Sequence, residues 1–145
     1  MKIIIEEPLP GEEDSVVVRC REISPSLMQL LSQFQSYQQY VIAYQSEKIH
    51  RIPTSDIYYF EAVNNKVFVY EQKNVYESRQ KLYEVTESLS GGDFIRVSKS
   101  IVLNLTKIKY IAPAFNGRFE ATLNNGEKII ISRQFVPALK KKLNL

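Results

Sequence analysis

The sequence predicts a mainly β protein with short helices at its flanks, an α+β arrangement. Three observations carry this. From Tyr40 onward, short runs rich in β-branched and aromatic residues recur, such as Ile57-Tyr-Tyr-Phe-Glu-Ala-Val63 and Ile129-Ile-Ile131. Turn chemistry separates them, most clearly at Asn64-Asn65 and Asn124-Asn125-Gly126. Only two or three segments show helical periodicity. The pattern reads as a sandwich or barrel-like domain with helices outside. A chain of 145 residues is one domain, or one domain with a small extension. The one candidate boundary, near residues 37–45, divides it into an extension, residues 1–39, and a main domain, residues 40–145.

The extension is expected to be strand–strand–helix. Lys2 to Glu6 and Ser15 to Arg21 are the strands, the second holding the β-branched Val16-Val17-Val18. Ser24 is an N-cap and Pro25 suits a first helical position, while Leu27, Leu30, Leu31 and Phe34 form one apolar stripe. Strands are then expected at 40–45 and 48–52, with a turn at Pro53 to Asp56. Two more, Ile57 to Val63 and Lys66 to Gln72, meet at Asn64-Asn65, which tolerates the positive φ of a primed turn. Val75 and Tyr76 extend the meander. Ser78 is a cap for a helix reaching Leu89, which Gly91-Gly92 ends. Strands follow at 94–97, 101–103, 108–113, 117–123 and 127–132. Ile129, Ile130 and Ile131, apolar on both faces, suggest a central strand. Pro137 interrupts the first turn of the last helix, so Ser132-Arg133-Gln134 is expected to be a separate corner.

Several function classes lack their chemistry. No apolar run is long enough for a membrane span, and the N-terminus turns acidic too soon for a signal peptide. The single cysteine, Cys20, fits a reducing cytoplasm and reads as a buried strand thiol. The single histidine, His50, alternates with Ile49 and is expected to face solvent or a rim in a structural role. One histidine and one cysteine are too few for a zinc site. No phosphate-binding glycine motif occurs, and no catalytic constellation can be assembled. No enzyme, cofactor or small-molecule substrate is expected.

Charge supplies the positive indication. Residues 1–44 carry 3 basic and 6 acidic side chains, net −3; residues 45–93 carry 6 and 8, net −2; residues 94–145 carry 10 and 2, net +8. Such asymmetry suits a polyanion-facing C-terminal half. Lys66, Lys99 and Arg133 each stand at a strand end or polar corner. From there arginine can grip guanine bidentately, lysine can reach the same acceptors, and Asn and Ser can contact phosphate. The competing class is a β-rich protein-interaction module that binds no nucleic acid.

Three motifs then carry a resemblance: Ile52-Pro-Thr-Ser-Asp-Ile-Tyr-Tyr-Phe-Glu61, Phe94-Ile-Arg-Val-Ser-Lys-Ser-Ile-Val-Leu-Asn104 followed by Lys107-Ile-Lys-Tyr-Ile111, and Ile131-Ser-Arg-Gln-Phe135. With these, residues from about Tyr40 to Leu143 resemble a LytTR domain, the DNA-binding domain of the LytR/AgrA class of bacterial transcription regulators. The resemblance implies small β-sheets stacked into an elongated body, with loops entering two successive major grooves of double-stranded DNA at promoter repeats. It implies base readers at Asn65 or Lys66, at Lys99 with Ser98 beside it, and at Arg133. Ser98 stands where many relatives have histidine, which suits it to phosphate. Many relatives are response regulators with a receiver domain. This chain resembles the stand-alone form, in which a membrane-protein regulator is common. The apolar stripe of the extension has two destinations, the body of the domain or a second copy of the chain; the tandem sites that the resemblance implies favour the second, a homodimer.

Overall fold

The computed structural model describes residues 2–36 and 39–145. The chain forms two compact units, Met1–Gln33 and Phe34–Leu145. In the first, residues 2–22 adopt neither strand nor helix, so both predicted strands are absent. The reason is the lack of a ladder: Val16, Val17 and Val18 are exposed, and β-propensity without a partner strand or a covered face does not make a strand. Cys20 is exposed as well, not a buried strand thiol. The helix α1 (Pro25–Ser36) begins where expected, with the Leu27 N–H donating to Ser24 Oγ at 3.2 Å. Leu27 is buried and Leu31 half-buried on its stripe, whereas the Phe34 side chain lies outside the described residues.

Among the described residues, the second unit holds ten strands: β1 (Tyr40–Gln45), β2 (Lys48–Pro53), β3 (Ile57–Val63), β4 (Lys66–Glu71), β5 (Val75–Ser78), β6 (Phe94–Arg96), β7 (Ile101–Asn104), β8 (Ile108–Pro113), β9 (Phe119–Leu123) and β10 (Lys128–Ile131). Helix α2 (Leu82–Ser88) and helix α3 (Val136–Lys142) complete it. Seven strands form an antiparallel sheet in the order β2-β1-β5-β4-β3-β7-β6, and three form a second in the order β10-β9-β8.

The large sheet has a core on each face. On one, Val41, Phe60, Val69 and Val102 pack with Leu82, Val85 and Leu89 of α2 and its C-cap. On the other, Tyr58, Tyr59 and Leu103 meet Ala121, Leu123, Ile129 and Ile131 of the small sheet and Val136 and Leu139 of α3. Two consecutive residues, Tyr58 and Tyr59, serve the same core because the ladder to β4 shifts between Ile57 and Tyr59. The extra residue of that bulge suspends strict alternation. Buried Asn104 ties the end of β7 to the start of β3 and to the turn that follows β7. Its Nδ2 donates to the Ile57 carbonyl at 2.8 Å, and its Oδ1 accepts from the Thr106 N–H at 3.0 Å and hydroxyl at 2.7 Å.

The turns follow their chemistry. Asn64 and Asn65 take φ of 51° and 63°, the primed turn expected for that pair, and Gly126 closes the β9–β10 hairpin at φ 88°. Three expectations fail. Helix α2 starts at Leu82, and Ser78 is a buried strand residue whose Oγ accepts from the Gln80 N–H. Strand β10 is an edge strand, not a central one: Ile129 and Ile131 are buried but Ile130 is 43% exposed. His50 pairs with buried Ala43 and its ring meets that of Tyr76 at a tilt of 54°, centroids 4.8 Å apart, so it faces the core side and Ile49 faces out. Alternation fixes which residues share a face, but not which face is covered.

Candidate nucleic-acid interface

Three turns of the second unit converge. The first lies between β6 and β7. The Val97 N–H donates to the Ile101 carbonyl at 3.0 Å, closing Ser98-Lys99-Ser100 into a corner. Ser98 Oγ accepts the Ser100 N–H at 3.2 Å. The guanidinium of Arg96 donates through Nε to the Ser98 carbonyl at 3.1 Å and through Nη2 to the Lys99 carbonyl. An arginine fork satisfied by two successive carbonyls fixes that backbone and leaves the Lys99 side chain exposed.

The second turn follows β10. Arg133–Phe135 is one turn of 3-10 helix, the separate corner that Pro137 predicts. Proline has no N–H to give the Arg133 carbonyl, which accepts instead from Val136. The Ser132 N–H donates to the Val97 carbonyl at 2.8 Å, so the two corners are joined by main chain. The third turn is the β8–β9 loop. The Ala114 N–H donates to the Arg118 carbonyl at 2.8 Å, and Asn116 and Gly117 take φ of 61° and 73°. A Cβ on Gly117 would stand 3.0 Å from Cδ and 3.2 Å from Cγ of Arg133, so the stem of that arginine lies on the loop backbone.

Together the turns line an open groove of about 590 Å³ formed by Ser98, Lys99, Ser100, Asn116, Arg118, Ser132, Arg133 and Gln134. The groove therefore gathers the predicted Ser98, Lys99 and Arg133, and holds no carboxylate among its lining residues. A second depression beside it shares Ser98, Arg118 and Ser132 and does contain carboxylates, Glu61 and Glu127. There the Tyr59 and Tyr70 rings stack at 4.3 Å. Burial above all, then the Glu127 carboxylate, pushes the Tyr59 hydroxyl well above its usual pKa. Burial and the Glu61 carboxylate, whose Oε1 accepts from the Tyr70 hydroxyl at 3.3 Å, raise Tyr70.

The predicted Asn65 and Lys66 stand outside the groove, exposed at the β3–β4 turn. That turn lies at the same end of the large sheet, since β3 runs antiparallel to β7 and the Ala62 N–H donates to the Ser100 carbonyl at 2.8 Å. Sequence reasoning missed Arg96, Asn116, Arg118 and Gln134. An Asn-Gly pair before an arginine in the basic segment was the available signal for the β8–β9 loop. Among the described residues, no group of His, Cys, Asp or Glu could hold a metal ion, and no helix is long and apolar enough to cross a membrane.

Comparison with known proteins gives the family. The family model of the LytTr DNA-binding domain matches residues 47–144. The chain is 31% identical over 99 residues to the sensory transduction protein LytT of Enterococcus faecalis, covering 68% of this chain and 41% of that one. It is 31% identical over 100 residues to the transcriptional regulatory protein YpdB of Escherichia coli, with the same coverage of 68% and 41%. The chain thus spans about two fifths of the length of these relatives. A solved structure, the LytTr DNA-binding domain of a putative methyl-accepting/DNA response regulator from Bacillus cereus, superposes with a TM-score of 0.70 at 25% identity. That match covers 74% of this chain and 98% of the other. It bears out the mainly β fold class and the resemblance read from the three motifs.

Proposed function

Because the chain belongs to the LytTr DNA-binding domain family, we propose that it is a bacterial transcription regulator that binds double-stranded DNA sequence-specifically and acts in the cytoplasm. The observation that carries this reading is the carboxylate-free groove with Lys99, Arg118 and Arg133 on three main-chain-fixed turns. Fixed backbone presents a cation without the entropy cost of ordering a loop, and duplex DNA supplies both phosphates and guanine acceptors. Arg133 and Lys99 are the base readers of this proposal, Ser98 takes a phosphate, and Asn65 or Lys66 reaches a neighbouring groove from the β3–β4 turn. Residues 40–145 serve as the DNA-binding domain. Residues 1–39, acidic overall, stay off the DNA and contribute to a homodimer on promoter repeats. A membrane protein is the proposed regulator of the complex. Catalysis has no part in this function.

The test is selection of bound sequences from random duplex DNA by the full chain, followed by titration of the selected site at several salt concentrations. Affinity falls steeply with salt if phosphates are neutralised. Arg133→Ala costs about 1–3 kcal/mol of specific binding while leaving the unfolding midpoint nearly unchanged. A chain that selects no sequence overturns the reading.

A further inference from the structure

The tip of the β8–β9 loop carries an apolar group that the chain itself does not use. Phe115 is 84% exposed. Phe119, four residues on, is half-buried, packs on the second core and lies under Lys140. The backbone keeps the two apart. The bond from the Ala114 N–H to the Arg118 carbonyl closes the loop, and Asn116 and Gly117 reverse the chain at positive φ. Phe115 is therefore held out at a defined place. An isolated exposed phenylalanine is unremarkable on its own. This one stands on the loop that supports the Arg133 stem and contributes Asn116 and Arg118 to the basic groove.

A partner that covers Phe115 must tolerate these cations at close range, which selects a polyanion with an apolar feature. The major groove of DNA offers one, the thymine C5-methyl group, beside the acceptors that arginine reads. We propose that Phe115 is a specificity-determining residue that packs on a thymine methyl in the groove entered by Arg133. The inference rests on the DNA-binding reading and adds to it a preference no charged residue can supply. Lysine and arginine read acceptors, whereas a ring edge or face rewards a methyl group by dispersion and water exclusion.

Deoxyuridine in place of thymine tests this, because it removes only the methyl group. The full chain and its Phe115→Ala and Phe115→Leu variants are titrated against the selected duplex and against copies with single thymines replaced. The expected result is one or two positions where deoxyuridine weakens wild type about three- to tenfold. Phe115→Ala loses a similar factor on the thymine duplex and is indifferent to the replacement there, and Phe115→Leu falls between. Thermal unfolding of both variants should match wild type, since the ring is exposed. The inference is overturned if Phe115→Ala binds like wild type. It is equally overturned if that variant binds weakly but keeps the full deoxyuridine effect. In either case specific binding by wild type leaves the DNA reading standing. If wild type selects no duplex, that reading falls and takes this inference with it.

Discussion

The stem of Arg133 crosses the backbone of Gly117 so closely that a methyl group there would stand 3.0 Å from Cδ. Gly117 also holds φ +73°, where side chains with a Cβ are strained. Gly117→Ala should therefore act twice. It should destabilise the fold by about 1 kcal/mol, and it should lower DNA affinity by displacing the arginine. The separation is visible in the double variant with Arg133→Ala. If the glycine acts through Arg133, the affinity losses are less than additive, whereas the stability loss persists. Equal affinity for Gly117→Ala and wild type would show that the arginine does not need this support.

Arg96 yields the second prediction. Its guanidinium donates to the Ser98 and Lys99 carbonyls, which on the proposed DNA-binding reading makes it a positioning group and not a reader. Arg96→Lys keeps the charge but loses the planar fork. DNA affinity should fall about tenfold, with the salt slope nearly unchanged, because no phosphate contact is removed. A slope reduced by about one unit would instead mark Arg96 as a phosphate contact.

Asn104 is a matter of stability alone. It is 2% exposed and meets two carbonyls, of Ile57 and Thr54, one N–H and one hydroxyl across two chain segments. Asn104→Leu strips the Ile57 carbonyl and the Thr106 donors of their partner in a buried place. The cost should be about 2–4 kcal/mol, read by denaturant unfolding. A loss under about 0.5 kcal/mol would mean that relaxation or water replaces these bonds.

The stacked tyrosines give a pH dependence. Tyr59 and Tyr70 both have raised pKa values in the folded chain, chiefly from burial. A neutral group with a raised folded pKa contributes stability that is fully present below its unfolded value, about 10, and is lost as pH rises through the folded value. Unfolding free energy should therefore decline above about pH 10. Tyr59→Phe keeps the ring and removes the titrating hydroxyl, so its decline should be shallower. Parallel profiles for the variant and wild type between pH 9 and 11 would exclude Tyr59 as a source.

Most of the β architecture was legible because short β-branched runs alternate with turns whose residues accept positive φ, as at Asn64-Asn65. The Arg133 corner was legible from the missing N–H of Pro137. What escaped has a common cause, that local pattern does not report tertiary cover. Val16-Val17-Val18 has strand propensity but no ladder to join. Ile129 to Ile131 reads as buried on both faces, yet only one face of β10 meets a core. His50 and Ile49 exchange their expected sides because the register Ala43 to His50 turns the histidine inward. Within the groove, Lys99 and Arg133 stood out as cations at strand ends. Arg96 did not, because its role lies in bonds to carbonyls two and three residues away. The β8–β9 loop was read as the start of a strand at residue 117, which concealed Asn116 and Arg118 as groove residues.

The hydrogen bond from the Ser132 N–H to the Val97 carbonyl uses no side-chain atom. Substitution at Ser98, Lys99 or Arg133 therefore leaves the bond's donor and acceptor in place. On the proposed DNA-binding reading, a lineage can exchange the side chain at each of these positions while the distance between them is inherited unchanged. Operator preference would then diverge base by base, whereas the separation of the contacted bases along the duplex would drift far more slowly.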